Sequence, residues 1–373
     1  MQVSELTVAV IGGGIGGMAA ACALAQRGAA VTLYEQAPAL REVGAGLQIS
    51  ANGQRVLRAL GIVGAGVPDC ATASAGTQFR DGAAGRFVAR VPPPSAGATW
   101  YLHRADLLAL LTRGAREAGV ILRLGERVSR QGIEADLVVA ADGARSGLRD
   151  EVDGAVQPQF TGQVAWRAVV PWDRRDAETH AVLSMGRGAH VVSYPLRGGK
   201  VMNLVAVEER TDWTQERWSQ EGDPAEMQAR FAQFGGVVGE IMAAASVVHT
   251  WALHARPVAQ DWHRGNMVLV GDAAHPTLPF MAQGACMALE DAWVLADALA
   301  AGDDLAQALS LYRDTRHDRA TRIVALATGN AWRFHMAKPL AWGAQAVLAL
   351  GARPLAAKLE WVYCYDATRA IAN

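Results

Sequence analysis

Residues 7–11 (TVAVI) are a β-branched apolar run of the kind that builds a buried parallel strand, and 15–27 follow with small and apolar residues suited to a helix. A second run, 29–34, predicts another buried strand, and two more come much later, at 136–141 (DLVVAA) and 266–270 (NMVLV). Between these the period changes. From 163 to 208 the short alternating runs VAWRAVV, HAVLSM, HVVSYPL and VMNLVAV predict an antiparallel sheet with one covered face, and 92–101 read as a further connection into it. Residues 227–245 have helical spacing. After Gly284 the pattern is mostly helical, with Asp303 and Asp304 opening a long helix and Pro339 and Pro354 punctuating the C-terminal region. An uncharged stretch between Lys338 and Arg353 reads as a buried or partner-facing helix.

The turns between strands carry the first candidate chemistry. Gly12, Gly14 and Gly17 fit G-x-G-x-x-G, in which the first glycine permits the tight turn, the second lets a pyrophosphate approach the backbone, and the third lets helix and strand pack closely. A phosphate there would face a helix N-terminus. The second strand ends at Glu35, 18 residues beyond Gly17, where an acidic side chain can accept hydrogen bonds from ribose hydroxyls. Strand, loop, helix and acid together form a β-α-β dinucleotide fingerprint. The strand at 136–141 ends in Asp142-Gly143, followed by Arg145, Ser146 and Arg149, and by itself signals a turn. The strand at 266–270 leads into Gly271-Asp272-Ala273-Ala274-His275-Pro276, then Pro279 and Gln283-Gly284-Ala285, before a helix carrying Glu290 and Asp291. An aspartate at a strand end can bind a polyol chain, and a Gly-Ala helix start lets backbone amides approach an anionic ring edge. Of NAD and FAD, only FAD has a ribityl chain.

Composition narrows the partners. With 35 Lys plus Arg against 36 Asp plus Glu, the chain has no electrostatic footprint for nucleic acid or an anionic membrane. Residues 6–26 form an uncharged run of 21, but five glycines interrupt it, so it is neither a span nor a signal peptide. Cys22, Cys70, Cys286 and Cys364 are too dispersed for a redox pair or zinc site, and they suit a reducing cytoplasm. His249 and His254, five apart, suit neither one helix face nor one strand face, so no metal is expected. No nucleophile elbow, zinc-protease helix or Walker loop occurs, which leaves the hard chemistry to a cofactor.

The three motifs in this order, at Gly12, Asp142 and Asp272, resemble the class A flavoprotein monooxygenases, the para-hydroxybenzoate hydroxylase superfamily. Within it the chain is most similar to the salicylate hydroxylase and 6-hydroxynicotinate 3-monooxygenase branch, through GAGLQIS (44–50), HRADLL (103–108), AWRAVV (165–170), MAQGACMALEDA (281–292) and WVYCYD (361–366). The fold implied is α/β, with an α+β substrate region: a Rossmann-type FAD-binding domain (1–72, 101–155 and 265–330), an inserted antiparallel-sheet substrate domain (73–100 and 156–264) and a C-terminal helical region (331–373). The resemblance assigns Gly12, Gly14, Gly16 and Gly17 to the pyrophosphate, Glu35 and Gln36 to the adenosine ribose, and Val128 to the adenine. Arg104 is assigned to FAD, Asp272 to the ribityl and pyrophosphate region, and Gly284 and Ala285 to the flavin ring. NADH or NADPH would act as a transient co-substrate aided by Asp142, Arg145 and Arg149, and O2 would supply the oxygen atom inserted into a small aromatic ring.

For the substrate side, the resemblance points to His190 and Tyr194, and a spacing of four keeps both on one sheet face. A cross-strand polar pair would have the same spacing. Gln48 stands where that branch carries a histidine near the flavin, and an amide cannot take a proton. Pro279 and Met281 are further candidates. Arg167 suits either a substrate carboxylate or a salt bridge within the sheet. Glycine (39 residues) and tryptophan (11, against 7 phenylalanines and 6 tyrosines) are both abundant, and only Trp166 falls in a substrate-sheet motif. Trp332, Trp342 and Trp361 suit packing of the tail. The alternatives are a flavin monooxygenase of a non-aromatic or larger substrate (a quinone precursor, purine or polyene) and a flavin-binding redox sensor. A homodimer is an admissible assembly.

Overall fold

Thr7–Ile11 lies at the centre of a six-stranded sheet because everything after its first residue is apolar and can be covered on both faces. The structure, a computed structural model, describes residues 1–40, 45–172, 179–210, 220–336 and 340–371. Gly44 and Pro339 lie outside the described residues. Thr7–Ile11 pairs in parallel with Ala30–Glu35 and with Leu137–Ala140, while Met267–Leu269 and Ile121–Leu124 extend the parallel set on either side. Only the edge hairpin of His263–Arg264 with Met267–Leu269 is antiparallel. All four strand-like runs therefore meet in one sheet. Against it packs the helix Ile15–Gln26, and against that helix packs Gly284–Ala301. Their alanine-rich sequences leave little side chain between them, and Met18 to Leu24 is buried all round.

The alternating segment forms an eight-stranded sheet in the order Gln220–Gly222, Val248–Ala255, Gln159–Pro171, Val201–Glu209, Ala189–Leu196, Ala181–Gly186, Thr77–Asp81 and Phe87–Val91. Every neighbouring pair is antiparallel except Ala181–Gly186 with Thr77–Asp81. One face is covered by the short helices Pro224–Arg230 and Val237–Ala243, which share a core with Trp166, Val191, Leu204 and Ala206. The single helical run expected over 227–245 is thus two helices, because Gly236 takes a φ of +64° that an L side chain avoids. The other face looks into a cavity. A third, three-stranded sheet of Gly46–Ile49, Trp100–His103 and Ala71–Ala73 lies beside it, and its pattern was too short to stand out in the sequence.

The long helix Leu305–Phe334 starts where expected, with the Asp304 side chain accepting from the Gln307 amide at 2.8 Å. The last helix, Leu340–Tyr363, kinks at Gly351 and runs on through Pro354 instead of stopping there. Its outer face is open: Leu340, Val347 and Leu350 are 73%, 71% and 90% exposed, so this helix is not buried within the chain. No helix among the described residues is long and apolar enough to cross a membrane.

Candidate active site

The glycine loop is built by contact distances. Gly12 has φ +111°, and a Cβ there would stand 2.3 Å from the carbonyl oxygen of Ala141; a Cβ at Gly17 would stand 2.0 Å from that of Gly12. Both positions exclude any side chain. Gly14 is the opposite case, since a Cβ there would meet nothing within 4 Å, and it lines the cavity together with Gly16. Glu35 clamps the loop: its carboxylate accepts from the Gly13 amide at 2.7 Å and from the Ala37 amide at 2.8 Å. Each carboxylate oxygen keeps a further lone pair. Gln36 is exposed beside it, and Val128 is half-buried after the strand Ile121–Leu124. Gly12, Gly17, Glu35, Gln36 and Val128 do not line the cavity itself.

That cavity, of about 1500 Å³, runs from Gly14, Arg104, Asp272, Gly284 and Ala285 to the open face of the eight-stranded sheet. Asp272 sits in the turn after Met267–Leu269, directly after Gly271, whose φ is +65°. Its accessible surface faces the cavity. Dense packing raises its pKa, an effect tempered by the charges of His275 and Arg104.

Beneath this turn lies a buried ionic network that the sequence reading missed. The Gly271 amide donates to Asp291 Oδ2 at 2.9 Å, and His275 Nε2 meets the same oxygen at 2.5 Å. Arg316 pairs with Asp291 at 2.8 Å and Glu290 at 2.6 Å, while Arg319 pairs with Glu290 at 2.8 Å. Asn52 donates to Glu290 and to Gln283, and Gln283 donates to Ser50. Burial pushes the Glu290 and Asp291 carboxyls up, but Arg316 beside both, with Arg319 on Glu290 and His275 on Asp291, holds them below the usual carboxylate range. The available signal was two adjacent acids in the apolar run 284–301 and two arginines three residues apart in the next helix.

Strand alternation decides what the substrate side offers. His190 and Tyr194 both face the cavity, as does Arg167 two strands away, whose guanidinium lies 4.4 Å from the ring centre of Trp251. Trp166, one residue before Arg167, points to the far face and is 1% exposed there, with its indole N–H on Glu208 at 3.0 Å. It cannot touch a ligand in the cavity. His190 is buried between the rings of Phe280 and Phe334, and desolvation, then the neighbouring His335, lower its pKa well below the ordinary histidine value. Tyr194 lies 4.8 Å from Tyr101, ring centre to ring centre, and burial raises its phenol well above the usual range despite Arg167. Gln48, Pro279 and Met281 complete the wall between the two ends of the cavity. Met281 and Pro279 belong to a 3-10 turn ended by Ala282, a non-glycine residue at φ +51°.

Arg149 departs from expectation. It is fully buried, donating to Asp153 at 3.1 Å and to the Pro257 carbonyl at 2.7 Å, out of reach of a nicotinamide nucleotide. Asp142 caps the short helix Leu148–Asp153 through the Gly147 amide at 3.1 Å, whereas Arg145 is exposed.

The family model for the FAD binding domain matches residues 94–327, and that for an NAD(P)-binding Rossmann-like domain matches 10–41. The chain is 37% identical to a 3-amino-4-hydroxybenzoate 2-monooxygenase of Streptomyces platensis, over 96% of each protein. It is 34% identical to the 6-hydroxynicotinate 3-monooxygenase of Bordetella bronchiseptica, over 87% of this chain and 91% of that one. Among solved structures, a salicylate hydroxylase substrate complex superposes with a TM-score of 0.81 at 25% identity, covering 99% of this chain and 97% of the other.

Proposed function

The chain belongs to the class A flavoprotein monooxygenases, which use FAD, and from that premise we propose that it hydroxylates a small aromatic or N-heteroaromatic ring bearing a phenolic hydroxyl or a carboxylate. The observation that carries this reading is the single sheet face that presents Arg167, His190 and Tyr194 to an otherwise largely apolar cavity with Asp272 at its other end. A cation suits a carboxylate, a neutral imidazole suits a hydroxyl proton, and aliphatic walls exclude water.

The residues fit FAD. The open face of Gly14 gives a phosphate access to the backbone at a helix start, and Asp272 turns a carboxylate toward the same cavity. In this arrangement Gly12, Gly14, Gly16 and Gly17 shape the pyrophosphate site, Glu35 and Gln36 the ribose site, Val128 the adenine site, and Arg104 and Asp272 the ribityl region. Gly284, Ala285 and Gln48 flank the ring. When bound and reduced by NADH or NADPH, the flavin supplies O2 activation and oxygen transfer. The protein's own part is to hold the substrate ring over it, take the hydroxyl proton at His190 and keep water out. Gln48 can orient a ligand by hydrogen bonding but takes no proton.

The division into a discontinuous FAD-binding unit, an inserted substrate unit and a helical tail is part of this proposal. The exposed apolar face of Leu340–Tyr363 supports a homodimer, and four free cysteines support a cytoplasmic location. The apolar extension of the cavity past Pro279, along Trp332, Leu348, Leu355 and Leu359, favours as second reading a substrate larger than one ring.

Purified protein should be yellow and consume NAD(P)H and O2 faster when a phenolic or N-heteroaromatic acid is present. A colourless protein that gains no flavin on reconstitution would sink the proposal, and product masses over a panel of one-ring and larger substrates separate the two readings. Asp272→Ala should weaken FAD binding by about 10- to 100-fold, the range for losing a hydrogen bond to a charged group; an unchanged flavin titration would contradict the assignment. Tyr194→Phe should cut hydroxylation about tenfold while leaving FAD bound, and loss of flavin before activity would make Tyr194 a structural residue.

A further inference from the structure

We propose that His335 and Glu209 form a relay that carries the substrate's hydroxyl proton from His190 to solvent; the relay rests on the reading of His190 as the group that meets the substrate. His190 Nδ1 lies 2.7 Å from His335 Nε2, and His335 Nδ1 lies 3.0 Å from Glu209 Oε1. The chain starts at the wall of the cavity and ends on a carboxylate side chain that is 57% exposed. Both ends are thus open, one to the ligand and one to water, while the middle is buried.

The polarity of the chain follows from its last member. A carboxylate only accepts, so His335 carries its proton on Nδ1 and its Nε2 is a lone pair. His190 must then donate from Nδ1, which leaves its Nε2 as an acceptor for the cavity. A proton leaving the substrate oxygen bonds to His190 Nε2 as the Nδ1 proton passes to His335 Nε2; the His335 Nδ1 proton then passes to Glu209 and from there to water. Each ring gains one N–H and loses one, the substrate loses one O–H bond, and no oxidant is involved. Moving the charge outward avoids leaving a cation among the rings of Phe280 and Phe334.

The surrounding structure holds this alignment. His335 caps the C-terminus of Leu305–Phe334, where the helix dipole favours a transient imidazolium. Its carbonyl accepts from the Gly188 amide at 3.1 Å, and the Gly188 carbonyl accepts from the Glu209 amide at 2.8 Å, so a single hairpin turn fixes both outer members. The described groups that act electrostatically on this chain are its own members: His335 on His190, and Glu209 on His335. Desolvation lowers the pKa of both histidines and keeps them neutral at rest.

The test uses FAD-loaded protein labelled with 15N-histidine, with the two rings assigned through His190→Gln and His335→Gln. Two-bond 1H–15N spectra at neutral pH should give the Nδ1-protonated tautomer for both rings, and Glu209→Leu, a change at an exposed side chain, should abolish that preference at His335. With whichever of 3-hydroxybenzoate, salicylate and 6-hydroxynicotinate is turned over fastest, Glu209→Leu and His335→Gln should slow hydroxylation by about tenfold or more, and added imidazole should restore the rate of Glu209→Leu. Nε2-protonated rings overturn the relay and, with a proton already on the nitrogen that faces the cavity, the base role of His190 as well; wild-type rates in both outer variants beside an impaired His190→Gln overturn the relay and leave the role of His190 standing. Wild-type turnover in FAD-loaded His190→Gln overturns that role and the relay with it.

Discussion

Replacing Arg316 by leucine should remove about 3 kcal/mol or more of folding stability and weaken FAD retention with it. Arg316 is fully buried and neutralises two buried carboxylates, Glu290 and Asp291. Removing one partner of such a cluster leaves charge without compensation, which costs about 3–5 kcal/mol; Arg319 on Glu290 and His275 on Asp291 remain, which places the loss at the lower end. The functional consequence runs through Asp291, whose Oδ2 holds the Gly271 amide and so fixes the turn that aims Asp272. Denaturant unfolding and flavin titration measure the two effects. The same network sets an acid limit. Glu290 and Asp291 have lower pKa values folded than unfolded, so the stability they confer is present above the unfolded carboxylate values and is lost as pH falls through the depressed folded ones. Losing Arg316 raises both folded values and moves acid unfolding to higher pH. Wild-type stability and acid response in the leucine variant would mean that the network is energetically idle.

His190→Gln should lower hydroxylation by about 10²- to 10⁴-fold, the range for removing a general base, while FAD stays bound. Glutamine fills the space and can hydrogen-bond, but it cannot take the proton. Oxygen use should persist with hydrogen peroxide in place of hydroxylated product, so the ratio of product to NAD(P)H consumed is the direct readout. Burial and His335 depress the His190 pKa, so the imidazole is neutral through physiological pH. The unfolded chain takes up a proton near pH 6.5 that the folded ring refuses, so this histidine subtracts stability as pH falls below about 6.5. His190→Gln should therefore lose activity and yet resist mild acid better than the parent.

The glycine loop and the parallel strands were legible in the sequence because their information is local. A turn at φ +111°, and a position 17 where a Cβ would stand 2.0 Å from the Gly12 carbonyl oxygen, admit only glycine, and strands buried on both faces must be apolar throughout. The spacing of His190 and Tyr194 likewise fixed that they share a face. It did not fix which face. Trp166 and Arg167 are adjacent on one strand, and the docking of Pro224–Arg230 and Val237–Ala243 sent the tryptophan to the core and the arginine to the cavity. Arg149, expected beside a nicotinamide co-substrate, is instead buried, held by Asp153 one turn along its own helix and by the distant Pro257 carbonyl.

By itself, then, the sequence determined the β-α-β dinucleotide unit and the strand periodicities, which depend on near neighbours in the chain, and the family, which rests on short local motifs and their order. The tertiary structure alone decided which distant groups meet: Asn52, His275, Asp291, Arg316 and Arg319 under the Asp272 turn, and His190, His335 and Glu209 on the line from cavity to solvent. Periodicity fixes the direction of a side chain relative to its own strand or helix. What that side chain touches depends on the element packed opposite, and only the folded chain sets that.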